Sequence, residues 1–444
     1  MSGQGRSNFT AMGPQGPAIP FFRNGSNANG TGGGFATTRP YVRQRITVEP
    51  DNNSFGSQIV FSIDRPCDLI GGLRLQVDQA ASSGDGRFGD FQLWSQIETV
   101  DFDYNNQRLQ RHRGDALKSI LFRTRSEKER QAEAACQNGF LSDEERNKRF
   151  LAAQTGMSCA LYPDWEELGN QLPILQLPTA IKVTITLKAD AQRARKYGSS
   201  ALSFGAITNP KLVIEGVHLL EVDRRALFSR VGMESGGGWQ IKTVQRQYVL
   251  NEPITQSVVA TANTLVEHTV KLNQITNTAF NLVPKLRYQD CVDQQSTLEP
   301  DAQIPIHSFH LANQNDKVST VYYGEVASKD GVSRGQGLYL DNAKRYPERS
   351  QGDVELAYGW AHDEMYQSQI HAGNFGAISA NRYNSLVLKF TVNANFASAT
   401  PFLDKAALQA SAATIDKTKW YLTVEAECHQ IVMCKKGDLR RYQV

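Results

Sequence analysis

The chain has 444 residues, 40% hydrophobic and 21% charged, which is the balance of a globular protein with room for roughly two to four domains. Its formal net charge of +3 is too small to drive nucleic-acid binding by itself. No run of eighteen apolar residues occurs, and residues 1–20 lack the basic and apolar regions of a secretory signal, so neither a membrane-spanning helix nor export is expected. The six cysteines (Cys67, Cys136, Cys159, Cys291, Cys428 and Cys434) form no C-x-x-C pair and are expected to be free thiols in a reducing compartment.

Residues 1–40 are rich in Gly, Asn and Ser and end near Gly32-Gly33-Gly34. Such a segment buries too little apolar surface to offset its ordering entropy, so a flexible arm is expected. Phe9, Phe21, Phe22 and Phe35 are available to anchor it on a neighbouring subunit; a plain disordered tail fits the composition as well. Sequons at Asn8, Asn24 and Asn29 follow from the same composition. Val42, Gln44, Ile46 and Val48 mark a first strand, and Ile59, Phe61 and Ile63 a second. Leu73, Leu75 and Val77 alternate with Arg74 and Gln76, the period of a strand with one buried face. A further strand run starts at Leu93, with Val100, Phe102 and Tyr104 alternating with Asp101 and Asp103, and Asn105-Asn106 supplies turn chemistry before Arg108. A helix is expected from Gly114 to Leu121, continuing through Ser126-Glu127-Lys128-Glu129-Arg130 to Cys136. Ser142 ahead of Asp143-Glu144-Glu145 predicts the capped start of another helix toward Phe150. Strand character resumes at 181–187 and 212–222, followed by a turn at Arg224-Arg225-Ala226-Leu227-Phe228 and a linker at Ser235-Gly236-Gly237-Gly238.

Beyond the linker the pattern restarts. Gln44-Arg45-Ile46-Thr47-Val48 matches Gln245-Arg246-Gln247-Tyr248-Val249, Ile181-Lys182-Val183-Thr184-Ile185 matches Leu388-Lys389-Phe390-Thr391-Val392, and Leu212-Val213-Ile214-Glu215 matches Leu422-Thr423-Val424-Glu425. The offsets are 201, 207 and 210 residues, in the same order, which predicts two β-rich halves of about two hundred residues. Further strands are expected at 239–250, 257–262, 265–272, 279–288 and 318–326, with long polar connections between 290 and 381. The predicted fold class is all-β: two consecutive eight-stranded jelly-roll sandwiches with short helical insertions and a flexible N-terminal arm. The expected divisions are 1–40 for the arm, 41–230 for the first jelly roll, 231–238 for the linker and 239–444 for the second.

Motifs for chemistry are weak. His307-Ser308-Phe309-His310, with His362-Asp363-Glu364 and His371, offers imidazoles for a metal but matches no zincin helix. Gly335-Gln336-Gly337 lacks the third glycine and helix of a dinucleotide site. The pairs Glu144-Glu145 and Glu166-Glu167 read as solvated faces, although a glycosidase's facing carboxylates are not visible in sequence. No catalytic, cofactor-binding or metal-ligating residue is assigned, and no cofactor is expected. Arg65 and Asp68 are read either as a buried ion pair fixing strand geometry near a subunit seam or as a surface pair worth about 0–1 kcal/mol. Lys435-Lys436 and Arg440-Arg441 are read either as a contact with a membrane or minor protein or as a solvated tail.

The first half resembles the N-terminal sandwich of the double jelly-roll major capsid proteins of large icosahedral double-stranded DNA viruses. The residues that carry this are Arg65-Pro66-Cys67-Asp68-Leu69-Ile70, Ile97-Glu98-Thr99-Val100-Asp101-Phe102-Asp103 running into Asn106-Gln107, His112-Arg113-Gly114-Asp115, Leu172-Pro173-Ile174-Leu175-Gln176-Leu177, and the segment from Leu219 through Phe228. Val270-Lys271-Leu272, Pro284-Lys285-Leu286-Arg287-Tyr288 and Ala380-Asn381-Arg382-Tyr383-Asn384 resemble elements of the second sandwich. The family's aromatic-rich motif is reduced here to Tyr162-Pro163-Asp164-Trp165. The resemblance implies a non-enzymatic protein that forms homotrimeric pseudo-hexagonal capsomers tiling an icosahedral shell. The implied partners are itself, neighbouring capsomers, minor capsid proteins and an internal membrane, with no direct nucleic-acid contact. The alternative is a two-domain β-sandwich carbohydrate-binding or hydrolytic protein.

Overall fold

The computed structural model describes residues 41–52, 58–167, 171–175, 177–196, 201–231, 239–255, 265–293, 308–313, 316–317, 322–323, 358–359, 378–379, 386–393 and 418–443. The arm, the triple-glycine linker and the strand expected at 257–262 lie outside these residues, as does most of the one expected at 318–326.

Eight long strands build the first half: β1 (Val42–Val48), β2 (Gln58–Ile63), β3 (Leu69–Gln79), β4 (Ile97–Tyr104), β5 (Gln107–Arg113), β6 (Gln154–Ala160), β7 (Ile181–Leu187) and β8 (Ile207–His218). They form antiparallel sheets ordered β1-β8-β3-β6 and β2-β7-β4-β5, so that all consecutive strands but β4 and β5 lie in opposite sheets. This is the jelly-roll winding. The second half contains β9 (Trp239–Thr255), β10 (Leu265–Lys271), β11 (Thr278–Tyr288), β12 (Ser308–Asn313), β13 (Leu386–Asn393), β14 (Lys419–Lys435) and β15 (Asp438–Gln443). Its sheets run β9-β14-β11, continued by Tyr358–Gly359, and β10-β13-β12, continued by Asp316–Lys317. Thus β9, β14 and β11 hold the places of β1, β8 and β3, while β10, β13 and β12 hold those of β2, β7 and β4. All three sequence matches fall on equivalent strands: β1 with β9, β7 with β13, β8 with β14.

Alternation explains the cores. Ile181, Val183, Ile185 and Leu187 of β7 point inward, and Val100, Phe102 and Tyr104 of β4 meet them. Burying a side chain such as Phe61 or Phe102 contributes about 1.5–3 kcal/mol. A separate core in the second roll is built from residues such as Leu286, Phe390, Trp420 and Val424. The β4–β5 turn is the two-residue loop Asn105-Asn106 with φ of 48° and 61°, the left-handed pair that matches strand twist and that asparagine tolerates.

Several local expectations are corrected. The stretch before β4 is a short helix, α1 (Gln92–Gln96), whose Trp94 indole donates to the Ala160 carbonyl at 2.9 Å. The helix expected through Ser126 is two, α2 (Gly114–Thr124) and α3 (Glu127–Gln137), because Ser126 and Glu129 form a capping box that starts a new helix. Ser142 and Glu145 cap α4 (Asp143–Leu151) in the same way, as the sequence predicts. The strand expected over 212–222 ends at His218, and the expected Arg224–Phe228 turn belongs to a helix, α5 (Glu221–Val231).

Lys435 and Arg440 are neither a tail nor a free arm: they flank the β14–β15 hairpin, whose turn is Lys436-Gly437 with φ of 54° and 74°. Val432, Cys434 and Leu439 of this hairpin belong to the core of the first roll. Tyr104 donates its hydroxyl to the Gly437 carbonyl at 2.7 Å, and Arg441 reaches the Leu109 carbonyl at 3.5 Å.

Arg65 and Asp68 do not pair. Arg65 sits at φ 46° and takes its neighbour Asp64 at 3.2 Å, both side chains about half exposed or more. Asp68 is buried, accepts the Leu219 amide at 2.7 Å, and binds Arg224 of α5 at 3.0 Å. Its role is to tie the start of β3 to α5. Asp68→Ala is therefore expected to lower stability by about 1–3 kcal/mol, since it leaves a buried amide without its acceptor. Arg65→Ala is expected to stay within about 0.5 kcal/mol. Denaturant melts of both variants check this, and equal effects would refute the assignment.

Candidate functional site

On β11 and β14, residues such as Leu286, Leu422, Val424 and Ala426 point into the second core, which sends Lys285, Arg287, Thr423, Glu425 and Glu427 to the outer face of that sheet. Arg246 of β9 joins them there. A charged outer face is normally wet. Here all six are buried, because the first roll lies on them.

The contacts form an ionic layer. Arg246 donates Nε to Glu425 at 3.0 Å and Nη2 to Glu427 at 2.8 Å, and its Nη1 stands 3.9 Å from Asp164 of the first roll. Lys285 Nζ lies 3.6 Å from Glu425 and 3.8 Å from Asp115 of the first roll. Asp115 also pairs with Arg113 at 3.3 Å. Burial alone would raise the Asp115 carboxyl, but Lys285, Arg113 and Arg287 outweigh it and hold the group well below the usual carboxylate range.

Local structure places the first roll's half of the layer. Gly114 opens α2 against the carbonyl of Ile97, where an added Cβ would lie 2.2 Å away, so only glycine lets Asp115 reach the seam. Asp164 follows Tyr162, which adopts φ 43°, and its amide donates to Gln110 at 2.8 Å. His112 is fully buried and donates Nε2–H to the Tyr162 carbonyl at 2.8 Å. Burial, and then the Arg246 charge, push its imidazole well below the ordinary histidine value, so it is neutral.

A second polar feature is a groove of about 890 Å³ between α3 and the outer face of sheet β1-β8-β3-β6. Arg43 and Arg45 of β1, Arg74 of β3 and Glu215 of β8 line it. Arg74 binds Glu133 of α3 at 2.7 Å, and Glu133 also accepts the Ala160 amide at 2.8 Å. Glu166, expected on a solvated face, instead lines this groove beside Arg125 at 3.1 Å, and burial pushes its carboxyl up to about 7 against the pull of Arg125. Glu144 and Glu145 are indeed solvated, engaged with Lys148 and the Ser142 cap.

Among the candidate ligands, His310 lies on β12, while His307, His362, His371 and the Gly335-Gln336-Gly337 segment fall outside the described residues. Among the described residues no group of three or more His, Cys, Asp or Glu is placed to hold a metal. Cys67, Cys159, Cys428 and Cys434 are buried free thiols, and burial pushes Cys67 up to about 11 and Cys428 and Cys434 up to about 12. The ionic layer was not foreseen from sequence. The signals for it were Asp115 and Asp164, each in a motif read only for its resemblance, and the recurrence of Arg45 as Arg246.

No protein-family model matches the chain, and no curated protein sequence does. Solved structures match over nearly its whole length. PBCV-1 VP54, in a structure fitted into a reconstruction of the virophage Sputnik, aligns with a TM-score of 0.65 at 15% identity, covering 91% of this chain and 98% of that one. The Faustovirus major capsid protein aligns at 0.58 and 8% identity over 89% and 91%. The mavirus major capsid protein aligns at 0.54 and 10% identity over 90% of each chain. The fold of this chain is therefore the double jelly roll of viral capsid proteins.

The seam gives stability a definite pH dependence. The neutral His112 refuses a proton that the unfolded chain accepts below about pH 6.5, so its contribution is complete above that value and declines as pH falls. Glu166 acts in the opposite sense, losing stability as pH rises from the ordinary carboxylate value toward about 7. His112→Gln keeps a donor for Tyr162 and leaves Glu166 in place. Between pH 7 and pH 5 its melting temperature is expected to fall less than that of the unsubstituted protein, and parallel curves would show that His112 does not titrate on unfolding.

Proposed function

We propose that the chain is a major capsid protein that assembles as a homotrimer, a pseudo-hexagonal capsomer that tiles an icosahedral shell. The observation that carries this reading is the joining of two rolls of one strand order through unlike faces: the outer face of β9-β14-β11 on one, and the β5 end with Asp115 and Asp164 on the other. A contact between unlike faces closes into a ring when its repeated rotation divides a full turn, here into six. Three chains supply six rolls and a nearly six-fold outline. The fold shared with the Faustovirus and mavirus major capsid proteins supports the reading.

In this reading the rolls occupy 41–230 and 239–444, joined through 231–238, and the arm at 1–40 meets neighbouring subunits. The capsomer resides in the virion, assembled inside the host cell. Neighbouring capsomers, minor capsid proteins and an internal membrane are its surroundings, and a net charge of +3 gives no reason for direct contact with nucleic acid. The role is structural rather than enzymatic, since the buried carboxylates of the seam are engaged by cations. No observation favours a carbohydrate-binding or hydrolytic role.

Size-exclusion chromatography with light scattering on the purified protein is expected to give a particle of three times 49.3 kDa, with hexagonal outlines in negative-stain images. A monomer at all concentrations, retained on an oligosaccharide column, would sink this reading.

A further inference from the structure

The outer face of β9-β14-β11 is buried under the first roll, but the equivalent face of β1-β8-β3-β6 stays open. Arg45 lies opposite Glu215 there, as Arg246 lies opposite Glu427, yet Arg45 and Glu215 are both exposed. Over this face α3 leaves the groove of about 890 Å³, within the usual span of ligand pockets, about 300–1,000 Å³.

The lining of the groove calls for hydrogen-bond donors. Glu166 Oε1 accepts from Arg125 at 3.1 Å, but the buried atoms Glu166 Oε2 and Gln171 Oε1 have no hydrogen-bond partner among the described residues. Gln171 is itself only 8% exposed, and a buried acceptor left unmade is costly. Gly72 of β3 keeps the floor bare, with the Glu166 carboxylate 3.3 Å from where an added Cβ would stand. Ala132, Tyr162 and Val217 supply apolar wall. The groove is therefore shaped for an occupant that is apolar along one side and donates at one end.

We infer that Phe21-Phe22-Arg23 of the N-terminal arm docks in this groove on its own chain, the phenylalanines on the apolar wall and the Arg23 guanidinium on Glu166 and Gln171. Residues 1–40 carry Arg6, Arg23 and Arg39 and no carboxylate, and their most apolar run, Ala18-Ile19-Pro20-Phe21-Phe22, leads straight into Arg23. A guanidinium offers five donors in a planar fork, enough for both waiting acceptors. It also answers the charge on Glu166, which burial penalises. Reach is sufficient. The arm ends where β1 begins, and Arg43 and Arg45 of β1 form one wall of the groove. The 17 residues from 24 to 40 span up to about 60 Å when extended. Such a tether holds the segment at an effective concentration on the order of millimolar. The inference does not rest on the capsomer reading, and the residues ahead of Phe21 are still available to a neighbouring subunit.

The test uses the full chain with a photo-crosslinking phenylalanine derivative in place of Ala132, an exposed residue of α3 on the groove wall. Isotopically heavy chains are mixed in, so that links within a chain are distinguished from links between copies. Expected are crosslinks from position 132 to residues 19–23 of the same chain. Links only to other parts of the chain, links to the arm of another copy, or no links at all overturn the inference. Limited trypsin digestion gives a second measurement. Cleavage after Arg23 is expected to be at least about tenfold slower than after Arg6, because it follows the undocked fraction. The variant F21S/F22S, which alters no residue of either roll, is expected to abolish that difference with an unchanged circular dichroism spectrum. Equal cleavage after both arginines in the unsubstituted chain, or protection of Arg23 that survives F21S/F22S, overturns the inference.

Discussion

Arg246 carries a permanent positive charge with none of its side chain exposed, and the arrangement of the two rolls follows from satisfying it and its neighbours. Taking such an ion out of water costs several kcal/mol, offset only where geometry and partners are complete. Glu425 and Glu427 answer the guanidinium from within its own sheet, and their surplus negative charge is answered by Lys285, which in turn is shared with Asp115 across the boundary. Asp164 closes the circuit from the other side. The consequence is register. A one-residue slip of β14 would present Val424 and Ala426 where the cations need carboxylates, so the layer admits one alignment of strand and one seating of the rolls.

An apolar contact reinforces this. β9 and β14 run seventeen residues each, against seven for β1 and twelve for β8, and the extra length carries β14 past its own barrel. The β14–β15 hairpin then inserts Val432, Cys434 and Leu439 into the first roll's core. The last strands of the chain complete a sandwich begun at its first, so the rolls are one packed body rather than two beads on a linker.

Much of the fold was legible because a strand with one wet face writes a two-residue period into the sequence, and the duplicated strand order wrote itself as three matches in sequence. The misses share a cause. α1 is five residues long and is held by the Trp94 indole against Ala160, sixty-six positions away. α5 lacks a continuous apolar stripe, with Val222 and Phe228 exposed, and is held by Asp68 through Arg224. Asp68 was singled out, but its neighbour in sequence, Arg65, is turned away by a left-handed backbone.

By itself, then, the sequence determined the alternation of the strands, the cap on Ser142, the asparagine turn and the repetition of one architecture in two halves. All of these are set by contacts within a few residues or by periods along the chain. Only the tertiary structure decided which of two similar arginine–glutamate faces would be buried and which would stay open, that Glu166 would line a groove, and that the basic C-terminus would be a hairpin in a distant core. Burial and ion pairing depend on which surfaces meet in space, and a charged residue looks the same along the chain whether it faces water or another barrel.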